Sequence, residues 1–256
     1  MTETIFMIHG MWGRPHLWDN YKAFFQERGF DCLTPTLRLH DVSPVDPPAG
    51  LGSISLLDYA ADLEAQVRGL PQEPIIMGHS MGGLLAQMLA ARGLGKAAVF
   101  LTPVSPAGIL ALRWSVIRAF RSSLLRWGFW RRPTMPTFNE ASHAMMHLLA
   151  PEAQREAYGR LVHDSGRAAA EIGLWLLDRR HASRVDEKNI KCPVLVIAGG
   201  QDRITPAPVV RKIGVKYAAT GAYKEFPRHA HWVIGEPGWQ EVAEYIHKWL
   251  MGMALV

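Results

Sequence analysis

Apolar residues recur in six short runs along the chain, and most residues between these runs follow a helical spacing. The runs cover residues 5–8, 31–34, 75–77, 97–101, 194–198 and 223–226. Short apolar runs that alternate with helical stretches are typical of βαβ units, whose strands lie parallel because a helix crosses over in each connection. The pattern therefore predicts an α/β protein with a mostly parallel sheet of about six strands flanked by helices.

The segment between the fourth and fifth runs is longer than one connection requires. Residues 106–185 contain several helical patterns and no clear strand, whereas a parallel crossover needs a single helix. We interpret this segment as a helical cap inserted after the fourth strand, on a core of residues 1–105 and 186–256. A run of ordinary crossover helices is the alternative. A cap would bury substrate and exclude water from the reacting centre.

A serine between glycines follows the third run. Residues Gly78–Gly83 read GHSMGG, and a helical stretch follows from Leu84. In a G-x-S-x-G nucleophile elbow, a strand turns sharply into a helix, and small residues two positions to either side of the serine permit the strained backbone. A structural glycine-rich turn is the alternative, but the strand, the turn and the helix are all indicated here. We therefore predict that Ser80 is a nucleophile.

A serine needs a base and a group that orients the base. Asp202 lies in the loop Gly199–Pro206, directly after the buried-strand pattern of residues 194–198. Catalytic side chains in open α/β sheets gather at the carboxyl edge of the strands, so Asp202 and Ser80 are expected on the same side. The alternative for Asp202 is an Asx turn that caps its own backbone ahead of the proline.

Two histidines compete for the role of the base. His229 and His231 both follow the sixth run, and an imidazole takes and returns a proton at neutral pH. We favour His231, because it precedes the apolar stretch Trp232–Ile234, which would anchor the loop ahead of the last helix. His229 is the alternative base, and otherwise a solvent-exposed or supporting residue. The order Ser, Asp, His differs from the orders found in chymotrypsin and subtilisin.

The attack of a serine on a carbonyl also requires two backbone donors for the oxyanion. The elbow would supply the N–H of Met81, and the glycine-flanked loop after the first run would supply the N–H of Met11. An ordinary tight turn is the alternative for this loop. His9, in the same loop, is interpreted as structural, because no acidic partner can be assigned to it from the sequence.

Together these motifs resemble the α/β-hydrolase superfamily, and most closely its lysophospholipase-like and carboxylesterase members. The resemblance spans nearly the whole chain and is carried by Met7–Gly10, Gly78–Gly83, Gly199–Pro206 and His231–Pro237. It implies a serine hydrolase with Ser80, Asp202 and His231 as a catalytic triad. It implies no particular substrate, because the fold hosts many chemistries.

Single residues separate the chain from some relatives. Haloalkane dehalogenases and epoxide hydrolases of this fold carry an aspartate at the elbow, where this chain has Ser80. Plant hydroxynitrile lyases carry a threonine after the His-Gly pair and a lysine beside the catalytic histidine. The comparable residues here are Met11 and Ala230, so these chemistries are not expected.

The function predicted from the sequence is hydrolysis of a carboxylic ester, with an acyl or aryl group, through an acyl-enzyme. Thioester, lactone, amide and carbon–carbon bond hydrolysis use the same triad and stay open, as does a ligand-binding member of the fold without turnover. An apolar substrate pocket is expected beside the triad. The residues assigned to it are Trp12, Met145, Met146, Trp175 and Trp232.

The first part of the predicted cap interleaves arginine with large aromatic residues. Residues 113–132, which begin with Arg113, contain no acidic side chain. Such a stretch can contact an anionic membrane surface, but we favour a cap helix whose arginines face water while its aromatic side chains pack inward. It contributes to the formal net charge of +5. Nothing in the triad suggests nucleic acid as a partner.

Length and cysteine content add little further chemistry. A chain of 256 residues can bury one substantial core. Cys32 and Cys192 are the only cysteines, and both are expected to be reduced thiols in or beside strands, with no spacing that suggests a metal. No cofactor is expected. The absence of a signal segment or membrane span predicts a cytoplasmic enzyme that acts on a small-molecule ester.

Overall fold

Strands and helices alternate along the chain, as the apolar runs indicate. The computed structural model describes residues 2–42, 46–111 and 114–253. The strands within these ranges are β1 (Thr4–Ile8), β2 (Asp31–Leu33), β3 (Ile75–His79), β4 (Ala97–Leu101), β5 (Pro133–Thr134), β6 (Asp164–Ser165), β7 (Val194–Gly199) and β8 (Gly221–Phe226). Six of them form one parallel sheet in the order β2-β1-β3-β4-β7-β8. The predicted α/β architecture is confirmed.

Helices cover both faces of this sheet. The helices in the described ranges are α1 (Asp19–Gln26), α2 (Leu56–Arg68), α3 (Met81–Ala90), α4 (Trp114–Ala119), α5 (Arg121–Leu124), α6 (Phe138–Ala144), α7 (Pro151–Gly159), α8 (Gly166–Gly173), α9 (Ala207–Lys216) and α10 (Trp239–Gly252). None of them is long and apolar enough to cross a membrane.

Successive residues of one strand belong to two different cores. Phe6 and Ile8 of β1 pack with α2, α3 and α9, whereas Ile5 and Met7 pack with α1 and α10. Side chains alternate across a strand, so a strand between two helical layers must be apolar at every position. This explains why the sequence shows continuous apolar runs. The carboxyl ends of the strands meet at one edge, and Ser80, Asp202 and His231 lie in the segments that follow β3, β7 and β8.

Residues 102–193, which we call the intervening segment, connect β4 to β7. Five short helices, α4–α8, lie in its described residues, together with β5 and β6, which pair antiparallel through Pro133–Ser165 and Thr134–Asp164. The expectation that this segment contains no strand was wrong. Each of these strands has two residues, which is too short to produce an alternating apolar pattern.

The aromatic residues of the intervening segment divide between its interior and its surface. Phe129 is buried, and the ring of Phe120 packs 5.4 Å from that of Trp12. Trp114 and Trp127, however, are 79% and 87% exposed, so the expectation that the aromatic side chains pack inward was wrong for these two. α4 and α5 have only six and four residues and therefore present no continuous buried stripe. Arg113 lies outside the described residues.

Candidate active site

Ser80 lies at the turn between β3 and α3 in a conformation that is rare for a residue with a side chain. Its φ is 56° and its ψ is −119°, and its N–H donates to the carbonyl of Leu101 at 3.0 Å. A Cβ on Gly78 would collide with the backbone of Gly82, and a Cβ on Gly82 would collide with the backbone of β1. The elbow therefore requires both glycines, and the packed backbone around it holds the strain.

Ser80, His231 and Asp202 are connected in this order by side-chain hydrogen bonds. His231 Nε2 lies 2.9 Å from Ser80 Oγ, and His231 Nδ1 lies 2.8 Å from Asp202 Oδ2. An ionised carboxylate can only accept, so Nδ1 carries the proton and donates to Asp202, and Nε2 accepts the hydroxyl proton of Ser80. The three residues are 7%, 1% and 6% exposed. The imidazole is thus positioned to take the serine proton.

Asp202 is held as a carboxylate by several donors. Its Oδ1 accepts the N–H groups of Ile204 and Thr205, each at 2.8 Å, and its Oδ2 lies 2.7 Å from the Thr205 hydroxyl. Burial alone would raise the pKa of Asp202, but its electrostatic interaction and hydrogen bond with His231 and the donors from Thr205 hold it below its ordinary value. The bonds to the following backbone form an Asx turn, so this alternative and the contact with His231 coexist.

Two side chains that the sequence analysis did not single out hold the backbone of His231. His79 Nε2 donates to the His231 carbonyl at 2.8 Å, and Thr102 Oγ1 donates to it at 3.2 Å. Thr102 has a φ of 40°, an uncommon value for a β-branched residue. Thr102 directly follows the predicted run 97–101, and His79 is the last residue of β3, two positions after the predicted run 75–77. These positions are the signal that could have identified them.

His79 and His9 are buried neutral imidazoles. Burial, together with the neighbouring His231, lowers the pKa of His79 to about 3, and burial lowers that of His9 to about 3 as well. His9 Nδ1 donates to the Gly10 carbonyl at 3.0 Å, and its Nε2 accepts the Leu37 N–H at 3.3 Å. These contacts fit a structural role for His9.

His229 is buried, so the expectation of a solvent-exposed residue, one of the three roles considered for it, was wrong. It is 3% exposed, and its Nδ1 lies 3.0 Å from Glu236 Oε1. The same oxygen accepts the N–H of Ala230 at 2.7 Å. Because Ala230 lies between the two histidines, the Glu236 contact fixes the backbone that leads into His231, whereas the ring of His229 points to Glu236.

Met11 and Met81 both line the same cavity as Ser80. Met81 is the first residue of α3, where a backbone N–H has no acceptor within the helix. The loop that carries Met11 lies against the elbow, since a Cβ on Gly10 would come within 2.9 Å of Ser80 Cβ. The next N–H along, that of Trp12, is already bound to Asp164 Oδ2 at 3.0 Å.

Asp164 is a fully buried carboxylate that the sequence analysis missed. Besides Trp12, it accepts from the Ser165 N–H at 2.6 Å and the Tyr59 hydroxyl at 2.9 Å. His40 Nε2 forms an ion-pair contact with it at 3.1 Å. Burial alone would raise the pKa of Asp164 and lower that of His40, but their mutual attraction and their hydrogen bonds prevail and reverse both shifts. Asp164 thus ties the intervening segment to the segment after β2 through His40, and to the loop after β1 through the Trp12 N–H.

A cavity of about 240 Å³ opens in front of Ser80. Four of the five residues assigned to the pocket from the sequence line it, namely Trp12, Met145, Trp175 and Trp232. Met146 does not, because its side chain is fully buried in the core that includes α1 and α10. Leucine, isoleucine, valine and phenylalanine side chains make up much of the rest of the wall, so the cavity suits an apolar organic group.

Residues 5–245 match a model of the alpha/beta hydrolase family. The chain belongs to this family. No curated protein matches the sequence of this hydrolase.

Solved structures share the fold of this hydrolase at low sequence identity. A pyrethroid hydrolase from Sphingobium faniae JZ-2 matches with a TM-score of 0.76 and 18% identity, over 100% of both chains. A methylesterase from Arabidopsis matches with a TM-score of 0.73 and 13% identity, over 98% of this chain and 99% of its own. An extracellular alpha/beta-hydrolase from a Paenibacillus species matches with a TM-score of 0.70 and 15% identity, over 96% of this chain and 98% of its own.

The described residues of the hydrolase contain no group of three or more His, Cys, Asp or Glu side chains that could hold a metal ion. Cys32 and Cys192 are free thiols, as expected. Burial raises the pKa of Cys32 to about 12 and that of Cys192 to about 11. Neither thiol is therefore a second nucleophile at neutral pH.

Proposed function

We propose that this hydrolase cleaves carboxylic esters, with an acyl or aryl group, through an acyl-enzyme on Ser80. The observation that carries the proposal is the contact of Ser80 Oγ, His231 and Asp202 at 2.9 Å and 2.8 Å beside an apolar cavity. The names of two proteins that share the fold, a methylesterase and polyneuridine aldehyde esterase, support an ester as the substrate class.

Acylation begins when Ser80 Oγ attacks the ester carbonyl. Its proton passes to His231 Nε2, and the resulting imidazolium is stabilised by the ionised Asp202. The carbonyl oxygen becomes an oxyanion that accepts the N–H groups of Met11 and Met81. When the tetrahedral species collapses, the C–O bond of the ester breaks, and the leaving oxygen takes the proton from Nε2.

Deacylation repeats these steps with water. His231 Nε2 removes a proton from water as the water oxygen attacks the acyl carbonyl. The second tetrahedral species releases the carboxylic acid and returns the proton to Ser80 Oγ. No group outside the site is needed, since the same imidazole accepts and donates one proton in each half of the reaction.

In this proposal residues 106–185 act as the cap that covers the substrate. Met145, Trp175 and the ring of Phe120 line the cavity from this segment, and Trp12 and Trp232 line it from the core. A cavity of about 240 Å³ has room for a short acyl chain or a single aromatic group. We therefore expect short acyl and aryl esters to be cleaved faster than long-chain esters dissolved as monomers.

The experiment is a panel of p-nitrophenyl esters from acetate to dodecanoate, read by absorbance, beside labelling with a fluorophosphonate probe. Ser80→Ala should lose both labelling and turnover, with kcat lower by roughly 10⁴- to 10⁶-fold. The matched control is Ser123→Ala, which removes a hydroxyl from the wall of the same cavity and should keep most of the activity.

Each result has a defined meaning for the proposal. Labelling of Ser80 with ester turnover supports it, and the chain-length profile then measures the pocket. Labelling without turnover of any ester would reject ester hydrolysis and redirect the search to thioesters, lactones, amides or carbon–carbon bonds. Turnover that survives Ser80→Ala would reject the nucleophile itself.

A further inference from the structure

The mouth of the cavity is surrounded by exposed apolar side chains. Leu110, Ile117, Leu124 and Leu174 line the cavity, yet they are 53%, 38%, 46% and 40% exposed. A residue that both lines a cavity and faces water lies at its rim. Clustered exposed leucines at a cavity mouth mark a surface that binds something apolar.

The exposed apolar surface extends beyond the rim. Five residues within three positions of a rim residue are more exposed still, at 70% to 87%, and they are Trp114, Leu125, Trp127, Leu176 and Leu177. We call these nine residues the rim surface. Among the described residues, the large exposed hydrophobic side chains outside it are Val215 and Met251. Exposed apolar area is therefore concentrated at the entrance to Ser80.

The stretch of chain that carries five of these nine residues is strongly basic. Residues 114–139 contain five arginines and no aspartate or glutamate. All five are exposed, and they are Arg118, Arg121, Arg126, Arg131 and Arg132. A partner that covers both features must offer apolar contact and negative charge together. A second copy of this chain would place like charges opposite each other, which disfavours self-association.

We propose that the rim surface docks the protein on an anionic lipid bilayer, with the cavity mouth facing the lipid. Tryptophan and leucine side chains enter the headgroup boundary, while arginines contact anionic headgroups. The rim residues then connect the lipid phase directly with the cavity. An amphiphile could pass from the bilayer to Ser80 without crossing water. The docking itself does not depend on ester hydrolysis.

The test measures binding of the full chain carrying Ser80→Ala, so that lipid is not consumed. Vesicles of phosphatidylcholine, and of phosphatidylcholine with 30% phosphatidylglycerol, are sedimented with the protein at low and high salt. Each arginine near an anionic surface is expected to strengthen partition about fivefold. Binding should therefore favour the anionic vesicles and weaken in high salt, because salt screens the arginines.

Two double variants separate the apolar and the basic contributions. Trp114→Ser with Trp127→Ser should weaken partition about tenfold or more, because the tryptophans supply apolar area at the lipid boundary. Arg121→Gln with Arg126→Gln should weaken it about 25-fold. The matched control is Arg68→Gln with Arg211→Gln, which removes the same charge from core helices where both side chains are 58% exposed.

Three outcomes would overturn the proposal. One is the absence of binding to anionic vesicles at low salt. Another is an equal loss in the control variant, which would mean attraction by net charge alone. The third is dimerisation in sedimentation that the tryptophan variant abolishes, which would make a second copy the occupant. Because the readout is binding, a lack of esterase activity would leave this result unaffected, so the two proposals fail separately.

Discussion

The fold contains two buried histidine–aspartate pairs that differ in what surrounds the imidazole. His231 and Asp202 are 2.8 Å apart, and His40 and Asp164 are 3.1 Å apart. His40 Nε2 lies 3.1 Å from the Asp164 carboxylate and Nδ1 lies 3.0 Å from the Arg38 carbonyl, so acceptors beside both nitrogens favour the protonated ring and raise the pKa of His40 despite its burial. His231 faces one acceptor and one hydroxyl donor, and it retains a nitrogen that can take a proton.

Only one of these two pairs takes part in the proposed reaction, so burial and pairing do not by themselves predict a reactive site. His40 is enclosed, with acceptors beside both nitrogens that favour its charged form. Asp164 contacts it in the segment after β2, and also binds Tyr59 of α2 and Trp12 of the loop after β1. His231 opens on the cavity beside Ser80. An opening to the cavity and a nitrogen that faces a hydroxyl donor distinguish His231 from His40, whereas burial and the distance to the aspartate do not.

The largest expected difference is in catalysis. Asp202→Asn should lower kcat by about 10⁴-fold, because an amide no longer stabilises the imidazolium or fixes the proton on His231 Nδ1. The free energy of unfolding should fall by about 1–2 kcal/mol at most, since His231 can stay neutral. The measurements are kcat for a p-nitrophenyl ester and urea unfolding of the same preparation. Near-normal kcat would show that Asp202 does not orient the base.

The second expected effect is on stability. Asp164→Asn leaves the imidazolium of His40 buried without its counter-charge and should lower the free energy of unfolding by about 3–5 kcal/mol. The folded fraction should keep a measurable kcat, lowered through the loosened Trp12 loop and far less than in Asp202→Asn. Urea unfolding at pH 7 measures the loss. If both variants lose equal stability, the two pairs have the same charge state and the contrast fails.

A neutral histidine packs against each pair, with ring centroids 5.0 Å apart for His79 and His231 and 5.3 Å apart for His9 and His40. The pKa of each neutral histidine is lowered to about 3. As the pH falls below about 6.5, the unfolded chain binds protons that the folded chain does not. Each of the two neutral histidines should therefore lower the free energy of unfolding by about 2 kcal/mol as the pH falls from 7.5 to 5.

Urea unfolding at the two pH values measures this loss, and His9→Asn is the variant that isolates one histidine. The asparagine amide can take the place of Nδ1 and donate to the Gly10 carbonyl without titrating, whereas the Leu37 N–H loses its acceptor at both pH values. Between pH 7.5 and pH 5, the free energy of unfolding of the His9→Asn variant should fall by about 2 kcal/mol less than that of the unmodified chain. His40 acts in the opposite direction, since its raised pKa adds stability below about pH 6.5 in both proteins. An unchanged pH dependence in His9→Asn would contradict the assignment.

The sequence predicts those features of the structure that depend on neighbouring residues, such as a strand and the loop that follows it. Ala97–Leu101 is predicted with the bounds that the structure gives, and the positions of Ser80, Asp202 and His231 follow from loops that leave such runs. Asp164 gave no signal, because its strand has two residues and its partner His40 lies far away in the chain. Contacts made between distant positions by single polar residues leave no periodic pattern.

The smallest expected effect is that of replacing one of two matched threonines, one beside each histidine–aspartate pair. Thr102 Oγ1 donates to the carbonyl of His231 at 3.2 Å, and Thr134 Oγ1 donates to the carbonyl of Asp164 at 3.4 Å. Changing either threonine to valine keeps the β-branch and should lower the free energy of unfolding by about 1 kcal/mol. Only Thr102→Val should also lower kcat, by about two- to fivefold, because it loosens the base. His79 still holds the carbonyl, which keeps the loss of kcat small.

An equal change of kcat in Thr134→Val would mean that both pairs act on the reaction through general rigidity, and the distinction between a reactive and a structural pair would then be lost.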